Sequence, residues 1–141
     1  MRQFFGAFCF GGAFMEYIVT ADEMKQYDNN TIRYFGIPSL VLMERAALSA
    51  TEFILNKFPS AEKILIAAGC GNNGGDGMAI ARLLYQNQKK ITVYFPGNPD
   101  KLSDAALNQY ETCQKYKIPI IQMLSTCEYD IVIDSLFGVG L

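Results

Sequence analysis

AGCGNNGGDGMAIARLL, residues 68–84, holds five glycines, two adjacent asparagines and one carboxylate in its first ten residues, then turns into an apolar, helix-like pattern. So much bare backbone between two regular patterns marks a turn that other groups must approach closely. Just upstream, KILIAAG (residues 63–69) is a short apolar run of the kind that forms a buried strand. Downstream, the pattern predicts a helix over about residues 76–88, with Asp76 available as its N-cap. Strand, glycine loop and helix in that order are the opening of a βαβ unit.

Working outward, KKITVYFPG reads as a second strand, stopped by Pro96 and Gly97. KLSDAALNQYETCQKYK reads as a helix capped by Ser103, IPIIQM as a third strand, and EYDIVIDSLFGVGL as a fourth strand followed by a second glycine-bearing loop. On the N-terminal side, Thr20 and Glu23 form the text of a capping box, with Gly36 and Pro38 ending the helix it opens. SLVLMERAALSATEFILNKF follows, with Ser39 as N-cap and Leu40, Met43, Ala47, Ala50 and Ile54 on one face. Strands alternating with helices predict an α/β fold: a three-layer αβα, doubly wound parallel sheet. Residues 63–68, 91–95, 119–122 and 131–133 should be its strands, in the order 3-2-1-4.

Composition bounds the function. Of 141 residues, 50% are hydrophobic and 18% charged, a globular balance. Net charge is −2 and the basic residues are scattered, so no stripe for nucleic acid exists. There is no histidine, which excludes Ser-His-Asp and Cys-His catalysis and His-ligated zinc. Cys9, Cys70, Cys113 and Cys127 are too widely spaced for a zinc ribbon, and a reducing cytoplasmic setting is the simpler reading. MRQFFGAFCFGGAF is too short to span a bilayer. It is expected to be an unstructured extension over 1–14, ahead of a domain over 15–141. No other run is apolar and long enough to be transmembrane.

Gly69, Gly71 and Gly74 fit G-x-G-x-x-G in the context that dinucleotide sites use. Yet the second strand ends in Tyr94, Phe95 and Pro96, with no acidic residue for a ribose, and no lysine follows the glycines as a Walker loop requires. What remains is physical. Successive N–H groups at a helix N-terminus suit an anion such as a pyrophosphate. Asn72 and Asn73 offer amide oxygens for a cation or a hydroxyl, and Asp76 either caps the helix or meets ligand donors. In the 3-2-1-4 order the first and fourth strands are neighbours at a switch point, so both glycine-bearing loops flank one crevice, with Asp134, the last residue of its strand, aimed into it. A solvated or capping carboxylate is the other reading of Asp134.

GNNGGDG after one strand, DSLFGVGL after another and the preceding LMERAA resemble the N-terminal domain of the YjeF family, the NAD(P)H-hydrate epimerases. The resemblance runs over roughly residues 18–141. The family's M-E-x-A stretch is matched at Met43, Glu44 and Ala46, with Ala47 where glycine is common. It implies an αβα fold and an isomerase that interconverts the R and S forms of hydrated NADH and NADPH, a repair reaction. Its implied partners are that substrate, a homodimer mate, and a dehydratase, fused or separate, that uses the S form. Carried over by motif, Asn72, Asn73, Gly74, Gly75 and Asp76 contact the nucleotide, as do Gly138, Val139, Gly140 and Leu141. The resemblance also implies that Asn73 and Asp134 hold a potassium ion.

The family's I-D-x-P-S-G segment, whose aspartate and serine complete the substrate and potassium sites, does not occur in these 141 residues. The chain is therefore expected to be a fragment, with the acid–base group elsewhere. The chemistry needs an acid to help the C6 hydroxyl leave and a base to help water return through a planar cationic ring; one carboxylate of tuned pKa serves both. Two alternatives remain at this point: a non-catalytic binding or dimerisation module of the same fold, and a Rossmann oxidoreductase fragment, disfavoured by the missing ribose carboxylate.

Overall fold

The computed structural model describes residues 8–10, 13–15, 19–124 and 128–138. The chain divides into two compact units, Met1–Ile37 and Pro38–Leu141.

In the first unit, β1 (Phe8–Phe10) and β2 (Ala13–Met15) pair antiparallel, Phe8 opposite Met15. The described part of residues 1–14 is thus a strand pair rather than the expected unstructured extension. Helix α1 (Ala21–Arg33) opens on the expected capping box. Glu23 N–H donates to Thr20 Oγ1 at 3.3 Å and Thr20 N–H donates to Glu23 Oε2 at 2.7 Å, so two donors that the helix leaves unpaired are satisfied together. The bonds that Thr20 N–H and Thr20 Oγ1 give to the Glu23 carboxylate hold it below its ordinary pKa. Past the C-cap Tyr34, Gly36 takes φ +68°, the left-handed region that favours glycine.

The second unit contains α2 (Ser39–Lys57), β3 (Lys63–Ala68), α3 (Asn72–Gln86), β4 (Lys90–Tyr94), α4 (Asp104–Lys115), β5 (Ile120–Ile121) and β6 (Ile131–Ser135). The sheet order is β5-β4-β3-β6 and all three pairings are parallel, the order and sense that the sequence predicts. Helix α2 starts differently: Pro38 is its N-cap and Ser39 lies inside the helix, making no side-chain cap. Proline's fixed φ needs no hydroxyl to set the entry.

One face of the sheet carries the core. Ile64, Ile66 and Ala68 of β3 and Ile91 and Val93 of β4 pack beneath Met43 and Ala47 of α2, Met78, Ala81 and Leu84 of α3, and Cys113 of α4. Ile64, Ile66 and Val93 are fully buried, each burial favouring the fold by about 1.5–3 kcal/mol. Helices α2, α3 and α4 therefore form one layer, with α3 in the middle. The opposite face and the β6 edge are more open, and Val132 is 61% exposed there. The start of β6 is pinned to the start of β3 by Asp130, whose Oδ2 accepts from Glu62 N–H at 2.8 Å and Lys63 N–H at 2.9 Å. These two hydrogen bonds hold the Asp130 carboxyl below its ordinary value. No described helix is long and apolar enough to cross a membrane.

Candidate functional site

Helix α3 begins at Asn72, with Gly71 as N-cap and no side-chain cap. This corrects the expectation of a helix starting near Asp76: the asparagine pair and the glycines after it are the first turns of the helix, not a loop ahead of it. Gly75 N–H already donates to Gly71 O at 3.1 Å, closing the first helical ring. The N–H groups of Asn72, Asn73 and Gly74 precede that ring and have no intrahelical acceptor. Asp76 is half-buried at the fifth helical position, inside the helix rather than at its N-cap.

The glycines are read differently once their surroundings are known. A Cβ on Gly74 would lie 1.9 Å from Gly69 O, and one on Gly77 would lie 2.0 Å from Ser135 Oγ. At Gly75 it would meet Met43 Cε at 2.7 Å and Ala106 Cα at 3.1 Å, between α2 and α4. Gly74, Gly75 and Gly77 are all buried. They let α3 sit down on the ends of β3 and β6 and let two helices close on it. Gly75, expected to face the nucleotide, has its N–H given to Gly71 O and its α-carbon set between Met43 and Ala106. Gly74 keeps an N–H without a helical acceptor.

The asparagines diverge. Asn73 Nδ2 donates to Phe137 O at 2.8 Å, reaching the second loop. Asn72 Oδ1 accepts from Ser103 Oγ at 2.8 Å, reaching the start of α4. Ser103 is the N-cap of α4, as its sequence suggests, and its N–H donates to Cys70 O at 3.0 Å. The second loop is drawn up against the first: Gly69 N–H donates to Ser135 O at 3.1 Å, and a Cβ on Gly138 would lie 3.1 Å from Asn73 Cβ. The two glycine-bearing loops thus meet at the carboxyl ends of neighbouring strands, as the topology demands.

Asp134 pairs with Ala67 in the β3–β6 register. It is exposed, and its Oδ1 accepts from Leu136 N–H at 3.0 Å. Strand alternation puts it with Val132, while Ser135 is buried and donates through Oγ to Ala67 O at 2.8 Å. Among the described residues no hydrogen bond joins Asp134 to Asn73, but each side chain is tied to the same two-residue turn, Leu136–Phe137. No three His, Cys, Asp or Glu side chains gather as a metal cluster among the described residues. Val139, Gly140 and Leu141 lie outside the described residues.

Two supporting contacts escaped the sequence reading. Arg82 of α3 is ion-paired with Glu44 of α2, the glutamate of the MERAA stretch, and so ties the two helices together. Ser103 was legible as a cap but not as a partner of Asn72. The signal was topological: helices that follow adjacent parallel strands begin side by side at the same end of the sheet. Beneath the site, burial pushes the Cys113 thiol up to about 12, against the pull of the Arg82 charge, so it stays a neutral donor to Met78 O at 3.3 Å. An open hollow of about 500 Å³ at the far, amino end of the strands, lined by Lys63, Lys90 and Tyr129 among others, has no part in this site.

Comparison with known proteins agrees with this architecture. The crystal structure of yeast ynu0 superposes with a TM-score of 0.73 at 21% identity, covering 86% of this chain and 57% of that one, a likeness of fold. A protein of Limosilactobacillus reuteri named NAD(P)H-hydrate epimerase is 46% identical over 88% of this chain and 59% of its own length. One of Limosilactobacillus fermentum with the same name is 42% identical over 89% of this chain and 61% of its own. The chain thus spans about three fifths of these curated relatives. The model of the YjeF-related protein N-terminus matches residues 39–141, the whole layered unit bar its first residue. The chain belongs to the YjeF-related protein N-terminus family.

Proposed function

We propose that this chain supplies the nucleotide-binding part of an NAD(P)H-hydrate epimerase, an isomerase acting on the R and S forms of hydrated NADH and NADPH. The observation that carries the reading is the meeting of the two motif-bearing loops through Asn73 Nδ2 and Phe137 O, at the switch point between β3 and β6. The names of relatives 42–47% identical supply the reaction and favour it over a non-catalytic module or an oxidoreductase. The N–H groups of Asn72, Asn73 and Gly74, which have no intrahelical acceptor at the positive end of α3, would take the pyrophosphate. Asp76, Gly138 and the three residues after it would complete the contacts.

A potassium ion fits the donor chemistry. Phe137 O can only accept, so the Asn73 amide is fixed with its Nδ2 toward Phe137 and its Oδ1 left for a cation. Asp134 adds a carboxylate on the same turn, and oxygen donors suit this hard ion. Bound there, the ion would offset the Asp134 charge beside a polyanionic ligand. This chain's residues would bind and orient the nucleotide.

The proposed setting is cytoplasmic, with a dehydratase consuming the S form. A homodimer is part of the same proposal; Ala47 and Ala50 of α2 face the core, so a mate would meet another part of the chain.

The test is epimerisation of R-hydrated NADPH by the complete gene product, in potassium and in lithium. Asp134→Ala should lower activity at least about tenfold, equivalent to ~1.4 kcal/mol, and abolish the preference for potassium. An Asp134→Ala protein with full activity and an unchanged potassium response overturns the cation site. A wild type that neither epimerises nor binds hydrated NADPH overturns the function.

A further inference from the structure

We propose that Ser103 is a positioning residue that fixes Asn72 as an N–H donor toward the nucleotide phosphates, so that the two adjacent asparagines present opposite chemistry. The argument is one of donors and acceptors. Ser103 Oγ accepts from Ala106 N–H at 3.3 Å, which caps α4. Its own proton must then go elsewhere, and the atom within reach is Asn72 Oδ1, at 2.8 Å. A hydroxyl proton requires an acceptor, so the amide is held with its oxygen toward Ser103. Asn72 is exposed, and its Nδ2 protons are left with no protein acceptor among the described residues.

Asn73, one residue on, is locked the other way, with Nδ2 given to Phe137 O and Oδ1 left over. One turn of α3 therefore offers donors on the α4 side and an acceptor on the β6 side. A phosphate needs the first, and a cation or hydroxyl needs the second. Ser103 itself is held in place by its N–H bond to Cys70 O, so the loop before α3 and the cap of α4 form one unit with the Asn72 amide. The phosphate part of this inference rests on the nucleotide reading above.

A double-mutant cycle in the complete gene product tests it, with hydrated NADPH as substrate. Ser103→Ala should raise KM roughly five- to tenfold, the scale of one lost hydrogen bond to a charged group, with a smaller effect on kcat. Ser103→Thr should restore KM. In an Asn72→Ala background, Ser103→Ala should change KM less than twofold, since the two act as one. Loss of the α4 cap is separated by Ser103→Asp, which still accepts from Ala106 N–H but has no proton to give. It should raise KM while the urea midpoint holds. Equal KM effects of Ser103→Ala in both backgrounds, or no effect in either, overturn the proposal.

Should the wild type show no epimerase activity, the functional reading fails separately. The positioning claim is then decided by the Asn72 side-chain amide resonances, identified by their loss in Asn72→Ala. They should shift in Ser103→Ala and return in Ser103→Thr; resonances unmoved in Ser103→Ala refute it.

Discussion

Replacing Gly74 by alanine sets two calculable effects against each other. A glycine inside a helix costs about 1 kcal/mol relative to alanine, so propensity alone makes the variant more stable. Against this, the new methyl would lie 1.9 Å from Gly69 O, 2.6 Å from its carbonyl carbon and 2.8 Å from its nitrogen. Carbon–oxygen contacts settle near 3.3 Å, so α3 must lift by roughly 1.4 Å from the end of β3. Overpacking costs about 1–3 kcal/mol when side chains give way. Here the obstacle is main chain, itself held by the Gly69 N–H to Ser135 O bond, which puts the cost at the upper end. The net expectation is a loss of about 2 kcal/mol, or a urea midpoint lower by roughly 1 M at an m-value of about 2 kcal/mol/M. Gly71→Ala is the control: nothing lies within 4 Å of its Cβ, and only the cap changes, by about 1 kcal/mol or less. Urea denaturation followed by far-UV circular dichroism measures both. A Gly74→Ala protein as stable as wild type, or more so, refutes the packing role and returns Gly74 to the ligand alone.

Three further outcomes follow from contacts away from the loops. Asp130 has its folded pKa below the ordinary 3.8, so its hydrogen bonds stabilise the fold above that pH and fade as pH falls through the folded value. Asp130→Asn should therefore flatten the acid limb of stability below about pH 4, read as urea midpoints from neutral pH downward; an unchanged limb refutes it. Arg82→Ala should cost about 1–2 kcal/mol, because the Arg82 side chain is only 12% exposed and its partner Glu44 is 37% exposed, between the buried and surface cases. Cys113, buried and with its thiol near 12, should resist iodoacetamide at pH 8 in the native state while Cys70 reacts, as peptide mass mapping would show.

The strand order was legible because it rests on coarse signals: apolar runs of strand length, crossover-length connections, and the rule that places a fourth strand beside the first. The Thr20 and Ser103 caps were legible because capping is local chemistry. What escaped was the division of labour within GNNGGDG. A glycine that welcomes a ligand and a glycine that welcomes a helix are the same letter, and only the position of Met43, Ala106 and Ser135 tells them apart. The start of α3 was misplaced for a related reason, since asparagine and glycine read as loop text while Gly71 as N-cap lets the helix absorb both asparagines. The strand pair at residues 8–15 was hidden by aromatic letters with no period.

That division has a consequence for how such a sequence drifts. Gly74, Gly75 and Gly77 answer to the fold, because a methyl at each collides with main chain or with a neighbouring element. Asn72 and Asn73 answer to whatever occupies the crevice, because their surplus donors and acceptor have no partner among the described residues. A descendant relieved of its ligand would be free to change the asparagines while selection for solubility kept the glycines. Gene copies that keep GG-G but lose the NN pair would then mark the loss of the crevice's occupant before any loss of the fold, a lineage record readable without an assay.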